Sequence, residues 1–137
     1  MSINIIEKLT KELSLRKPQG LSLVKLDALL SSVKLGKDKL EDIEARLVGN
    51  VKFDTEFPSF TFALATGVGK TRLMAAMIAY LYHTKGLKDF FILTPGETIY
   101  TKTIDNFTPS SKKYVLDGLT DFPMFNLITG ENYTYAN

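Results

Sequence analysis

Apolar side chains recur at helical spacing through the first fifty residues. In residues 3–13 and again in residues 19–33 they return every three to four positions, with charged residues on the other faces. This period predicts amphipathic helices. A third helix is expected to begin at a cap on Asp38 and to end at Gly49 and Asn50.

Beyond this helical part the pattern changes to short apolar runs bounded by glycine and proline. Residues 60–65, 90–93 and 125–129 have the length and composition of buried strands. Helices are predicted between and after the first two runs, at residues 70–85 and 97–107. An alternation of strand and helix predicts an α/β fold built on a parallel sheet with right-handed crossovers.

Composition excludes several kinds of functional site, although the distribution of charge marks no domain boundary. The 137 residues carry 17 basic and 15 acidic side chains, no cysteine and a single histidine, His83. Disulfides, thiolate zinc sites and cysteine nucleophiles are therefore excluded. The pattern predicts a helical segment at 1–57 and an α/β part at 58–137. No signal-peptide core or membrane-length apolar run occurs, so we expect a cytoplasmic protein with no membrane partner.

One motif carries chemistry, and it lies between the first predicted strand and the helix that follows. Gly67 and Gly69 allow a tight turn whose backbone N–H groups approach phosphate oxygens. Lys70 supplies a charge for the β- and γ-phosphates, and the Thr71 hydroxyl is a ligand for Mg²⁺. These features predict an ATP-Mg²⁺ site, with Lys70 and Thr71 as its catalytic residues. The predicted loop spans residues 64–71, and its expected ATP-binding residues are Thr66, Gly67, Val68, Gly69, Lys70 and Thr71.

The motif departs from the usual phosphate loop at one position. Leu64 stands where the first glycine of the pattern is expected. The tighter Thr-Gly-Val-Gly-Lys-Thr form is typical of helicase-like ATPases rather than of small kinases or GTPases. Another phosphate-loop protein, such as a nucleotide kinase or a signalling ATPase, remains an alternative, as does a plain strand-to-helix turn.

The segment from Phe57 to Met74 resembles the first motif of superfamily-2 helicases of the DEAD/DEAH-like group. It is most similar to the Res (restriction and helicase) subunit of type III restriction enzymes, and the likeness continues through Ile99 and Tyr100. The resemblance implies part of a RecA-like phosphate-loop NTPase sheet. It also implies DNA-backbone contacts at a strand-end turn, unless that turn is only a loop. The turn residues are Thr94, Pro95 and Gly96.

An upstream glutamine adds to this resemblance. Residues 13–19 resemble the adenine-reading motif of the same superfamily, in which the Gln19 amide would recognise the adenine edge. The alternative is a surface glutamine at a helix start. Arg72 follows the loop directly and is predicted to approach the α-phosphate or the ribose, although a solvated helix position fits equally well.

The acidic motif that hydrolysis requires is not found. No Asp-Glu pair follows Thr71, and Asp117 is a weak candidate. We therefore expect the N-terminal part of the first motor lobe of an ATP-dependent DNA helicase or translocase that does not hydrolyse ATP unaided. The acidic motif and the second lobe would lie beyond Asn137. The resemblance implies DNA and a methylation subunit as partners. A non-catalytic nucleotide-binding module is the alternative.

Overall fold

A computed structural model describes residues 2–49 and 51–135, with side chains from residue 4 onward. Two parts of the predicted helices lie outside the described residues. They are the Ile3 side chain of the first helix and Asn50 at the end of the third. No helix in these ranges is both long and apolar enough to cross a membrane. The described residues form five helices: α1 (Ser2–Glu12), α2 (Lys17–Leu30), α3 (Leu40–Arg46), α4 (Lys70–Lys85) and α5 (Gly96–Phe107).

Helix α4 lies at the centre of the fold because it is apolar on two faces. Its alanines at 76 and 79 and its Tyr80 are fully buried and allow α1 and α2 to approach closely. Leu9 of α1 and Leu23 of α2 are also completely buried. Burial of each leucine contributes about 1.5–3 kcal/mol. The helical segment before residue 58 thus shares one hydrophobic core with α4.

The other face of α4 packs on a second, smaller cluster. Ala75 contacts Phe107 at the end of α5 and Leu116 in the turns that follow it, and all three are buried. Partly buried side chains from residues 122–127 complete this cluster. Asp117, the candidate for the acidic motif, lies here in a turn and is exposed, and it does not follow a strand.

The predicted α/β fold with a parallel sheet is wrong for the residues described. The segments 60–65, 90–93 and 125–129 contain no strand, and no backbone hydrogen bonds pair them with each other or with another segment. A β-sheet is formed by ladders of backbone hydrogen bonds between neighbouring strands, and these segments have none. In 60–65 burial does alternate, with half-buried side chains at even positions packed against the main core.

The helix boundaries follow local signals in the sequence. Helix α4 begins directly after Gly69 and ends at Gly86, whose φ of 68° suits a helix terminus.

The predicted cap at Asp38 is wrong, because Lys39 occupies the N-cap of α3. The Asp38 carboxylate instead accepts the N–H of Lys34 and an Arg46 guanidinium, and these bonds lower its pKa.

Candidate functional site

The predicted phosphate loop is an exposed turn that leads directly into α4. Gly67 and Gly69 both adopt left-handed backbone conformations, with φ of 79° and 88°. Glycine reaches this region without the steric cost that a side chain brings. Because α4 begins at Lys70, the loop residues stand at a helix N-terminus, where backbone N–H groups lack intrahelical acceptors.

Two side chains from the start of α2 hold this loop. Gln19 is only 2% exposed, and its Nε2 donates to the Gly69 carbonyl at 2.8 Å. Its Oε1 accepts the backbone N–H of Arg16 at 2.7 Å, which is one half of a capping box at the N-terminus of α2. Arg16 Nη1 donates to the Gly67 carbonyl at 3.2 Å. The interpretation of Gln19 as a surface residue is therefore wrong.

Arg72 makes the reciprocal contact, from the loop side to the turn between α1 and α2. Its Nη1 donates to the Leu13 carbonyl at 3.2 Å. A cleft of about 200 Å³ lies between this turn and residues 67–69, with Gln19 and both arginines in its walls. Neither arginine belongs to an ion pair of the described residues. The cleft therefore carries positive charge without a neutralising carboxylate.

Lys70 and Thr71 complete the candidate site on the first turn of α4. Lys70 is exposed, and its ammonium makes no hydrogen bond or ion pair within the described part of the chain. Thr71 is half-buried, and its hydroxyl makes no hydrogen bond there either. The ammonium and the hydroxyl are therefore both available to contact a bound anion and the cation that accompanies it. No cluster of three His, Cys, Asp or Glu side chains among the described residues forms a metal site.

A model of the family described as type III restriction enzyme, res subunit, matches residues 3–134 of this chain. The chain belongs to that family. It is also 41% identical over 69 residues to the probable type III restriction-modification enzyme HindVIP Res subunit of Haemophilus influenzae. This match covers 46% of the chain and 13% of the relative. No solved structure matches the chain. The predicted resemblance to Res subunits is thus confirmed.

The second site predicted from the Res resemblance lies at the start of α5. Thr94 is half-buried, Pro95 is exposed at the N-cap, and Gly96 begins the helix with a φ of 72°. This turn follows residues 90–93, which form no strand. No hydrogen bond or ion pair in the described ranges joins it to the phosphate loop.

A groove of about 570 Å³ borders the C-terminal end of α5 in this Res-family chain. Thr108 and Thr129 are among its polar lining residues, and Leu127 contributes an apolar wall. The N–H of Gly130 donates to the Tyr100 hydroxyl at 3.2 Å, which ties the segment after residue 128 to α5. The groove and the phosphate loop have no lining residue in common.

The sequence motifs predict no role for Arg16, although its guanidinium contacts the predicted phosphate loop in the structure. The contact joins residues 51 positions apart, so no local spacing reveals it. The available signal was indirect. Arg16 stands three residues before Gln19, and in a capping box the residue at this spacing bonds through its side chain to the backbone N–H of the N-cap residue. A site residue at Gln19 therefore implied that Arg16 lay beside it.

Proposed function

We propose that this chain is the ATP-binding, N-terminal part of a DNA helicase or translocase of the Res type. The observation that carries the proposal is the loop at residues 66–71. Two glycines with positive φ precede a helix N-terminus, and an exposed lysine without a partner stands beside it. Free N–H groups, a helix dipole and a mobile cation together favour a polyphosphate.

Mg²⁺ fits the same site. The Thr71 hydroxyl is free, and a hydroxyl with phosphate oxygens and water provides the oxygen ligands that Mg²⁺ prefers. The bound ion would neutralise charge on the phosphates, while Lys70 would contact the terminal phosphate oxygens. No carboxylate of the described residues bonds to the loop, so binding rather than turnover is the quantity to measure.

The adenine contact is assigned to Gln19 within the adjoining cleft. Its amide already bonds to Arg16 and Gly69, but each polar atom keeps one further bonding position. One donor and one acceptor suit the adenine edge. Arg72 lies in the same cleft and would contact the ribose or the α-phosphate, which requires its guanidinium to leave the Leu13 carbonyl.

The test of nucleotide binding is titration calorimetry with Mg²⁺-ATP on the 137-residue chain. Lys70→Ala should weaken binding by about tenfold or more, roughly 1.4 kcal/mol. Lys88→Ala removes the same charge from an exposed position beyond α4 and should leave the dissociation constant unchanged. Equal affinities of wild type and Lys70→Ala would contradict the assignment of the loop.

The adenine role has a separate readout in the ratio of ATP to GTP affinity. Gln19→Ala should lower the preference for ATP, because a group that distinguishes the two base edges is removed. The two triphosphates present the same groups to the loop, so their ratio cancels effects on phosphate binding. An unchanged ratio would leave Gln19 without a role in base recognition.

DNA is the proposed macromolecular partner, bound through its phosphates at Thr94, Pro95 and Gly96. The support is the position of this turn at the N-terminus of α5, whose N–H groups favour an anion. Pro95→Glu should weaken binding to a short duplex several-fold at low salt, whereas Thr101→Glu, farther along α5, should have little effect. Equal losses in both variants would indicate a general charge effect. By analogy with the restriction-modification relative, a methylation subunit is the proposed protein partner.

A further inference from the structure

The carbonyl groups of the two loop glycines both face α2. Gly67 O accepts from Arg16 Nη1. Gly69 O accepts from Gln19 Nε2 and also from the N–H of Leu73. The loop is thus held from one side, at alternate peptide groups, by two residues that begin the same helix.

Peptide geometry determines where the neighbouring N–H groups point. The described residues contain no cis peptide bond. In a planar trans peptide the carbonyl and the following N–H point in opposite directions. The N–H groups of Val68 and Lys70 therefore point away from α2. Neither donates a backbone hydrogen bond in the loops and turns of the described residues. These are the groups that a phosphate would meet.

The loop itself does not enforce this orientation. Glycine occupies positive and negative φ with similar ease, so the peptides beside Gly67 and Gly69 have an alternative in which a carbonyl faces the phosphate side. Gly69 O is also fixed by the hydrogen bond from Leu73 within α4. For Gly67 O, Arg16 is the only donor in the described part of the chain.

We propose that Arg16 is a positioning residue for phosphate binding: its bond to the Gly67 carbonyl turns the Val68 N–H toward the ligand. The inference rests on the proposed function of the loop and deepens it. Arg16 acts through the peptide group, so it supports any ligand that has the same phosphates and is indifferent to the base. A contact with adenine would favour the nucleotide alone.

The experiment compares Mg²⁺-ATP with Mg²⁺-tripolyphosphate, which lacks both base and sugar. Arg16→Ala should weaken both ligands by a similar factor, about fivefold to tenfold, the latter being roughly 1.4 kcal/mol. Arg16→Lys should recover part of the loss because it keeps a donor. Lys17→Ala, which removes the neighbouring charge, should match wild type. A loss confined to ATP, or an equal loss in Lys17→Ala, would overturn the proposal.

Amide resonances of the loop provide a readout that requires no ligand. In ligand-free protein, Arg16→Ala should shift or broaden the Val68 N–H signal, while Lys17→Ala should leave it in place. Weaker binding with an unchanged Val68 signal would mean that Arg16 touches the phosphates directly, which would contradict a positioning role. If wild type binds neither ligand, the proposed function fails, and the Val68 signal still decides whether Arg16 orients the loop.

Discussion

Replacing each loop glycine by alanine separates backbone strain from contact with Gln19. Gly67 and Gly69 have similar φ, 79° and 88°, so alanine meets the same unfavourable backbone region at both. A Cβ on Gly67 would meet no atom within 4 Å. A Cβ on Gly69 would lie 2.6 Å from Gln19 Nε2. Gly67→Ala is therefore the matched control for Gly69→Ala.

The magnitudes follow from these two environments. A left-handed conformation costs an alanine about 1–2 kcal/mol. Gly67→Ala should lose only this amount of unfolding free energy. In Gly69→Ala the Gln19 amide must also withdraw, which breaks its bond to Gly69 O and leaves a buried donor unsatisfied, at a further cost of about 1–3 kcal/mol. We expect a total loss of about 2–5 kcal/mol for Gly69→Ala.

Urea unfolding of the chain, followed by circular dichroism, measures both losses. Combining Gly69→Ala with Gln19→Ala removes the atom that the new Cβ would strike. The double variant should then be more stable than the sum of the single effects predicts, by about 1 kcal/mol or more, since residues in contact are not additive. Equal losses in Gly67→Ala and Gly69→Ala, together with additivity in the double variant, would refute the reasoning.

Two further predictions concern side-chain hydrogen bonds made by helix residues. Tyr80→Phe removes a 2.6 Å hydrogen bond from the buried phenol to Asp27 and should lower the free energy of unfolding by about 1–2 kcal/mol. Tyr82→Phe, on the same helix, loses no side-chain hydrogen bond of the described residues and should change stability little; similar losses would contradict this prediction. Glu44 accepts a backbone N–H and a lysine ammonium, which hold its pKa below the usual 4.5. Its contribution is present above that pH and is lost as pH falls through the lowered folded pKa. Glu44→Gln should therefore reduce the loss of unfolding free energy as the pH falls, whereas Glu41→Gln should leave that loss unchanged.

The helices were predictable because their signals are local. Helix α4 occupies Lys70–Lys85, the predicted range, since a glycine stands immediately outside each end. Helix α2 begins two residues earlier than the range 19–33 suggested, because Pro18 is well suited to the first turn of a helix. Pro18 therefore lies in the first turn of α2 and marks a helix start.

The absence of strands from the described residues could not be predicted from the same kind of signal. An apolar run such as 60–65 indicates which side chains face the core, and its even positions are indeed the half-buried ones. Pairing depends on a second segment at the correct distance and register, which a single run does not specify. These even positions pack against the main core, which consists largely of helix residues, and no backbone ladder is formed in the described chain.

The candidate site combines both kinds of information. Loop residues 66–71 could be identified from one short stretch, but the two arginine contacts across the cleft join positions 51 and 59 residues apart. They run in opposite directions: Arg16 reaches the loop from α2, and Arg72 reaches the turn before α2 from α4. Because the Gly67 and Gly69 carbonyls bond to the start of α2, the packing of α2 against α4 through Leu23 fixes the position of the donors that orient the loop. The geometry of the phosphate loop is therefore a property of the shared helical core as well as of its own glycines.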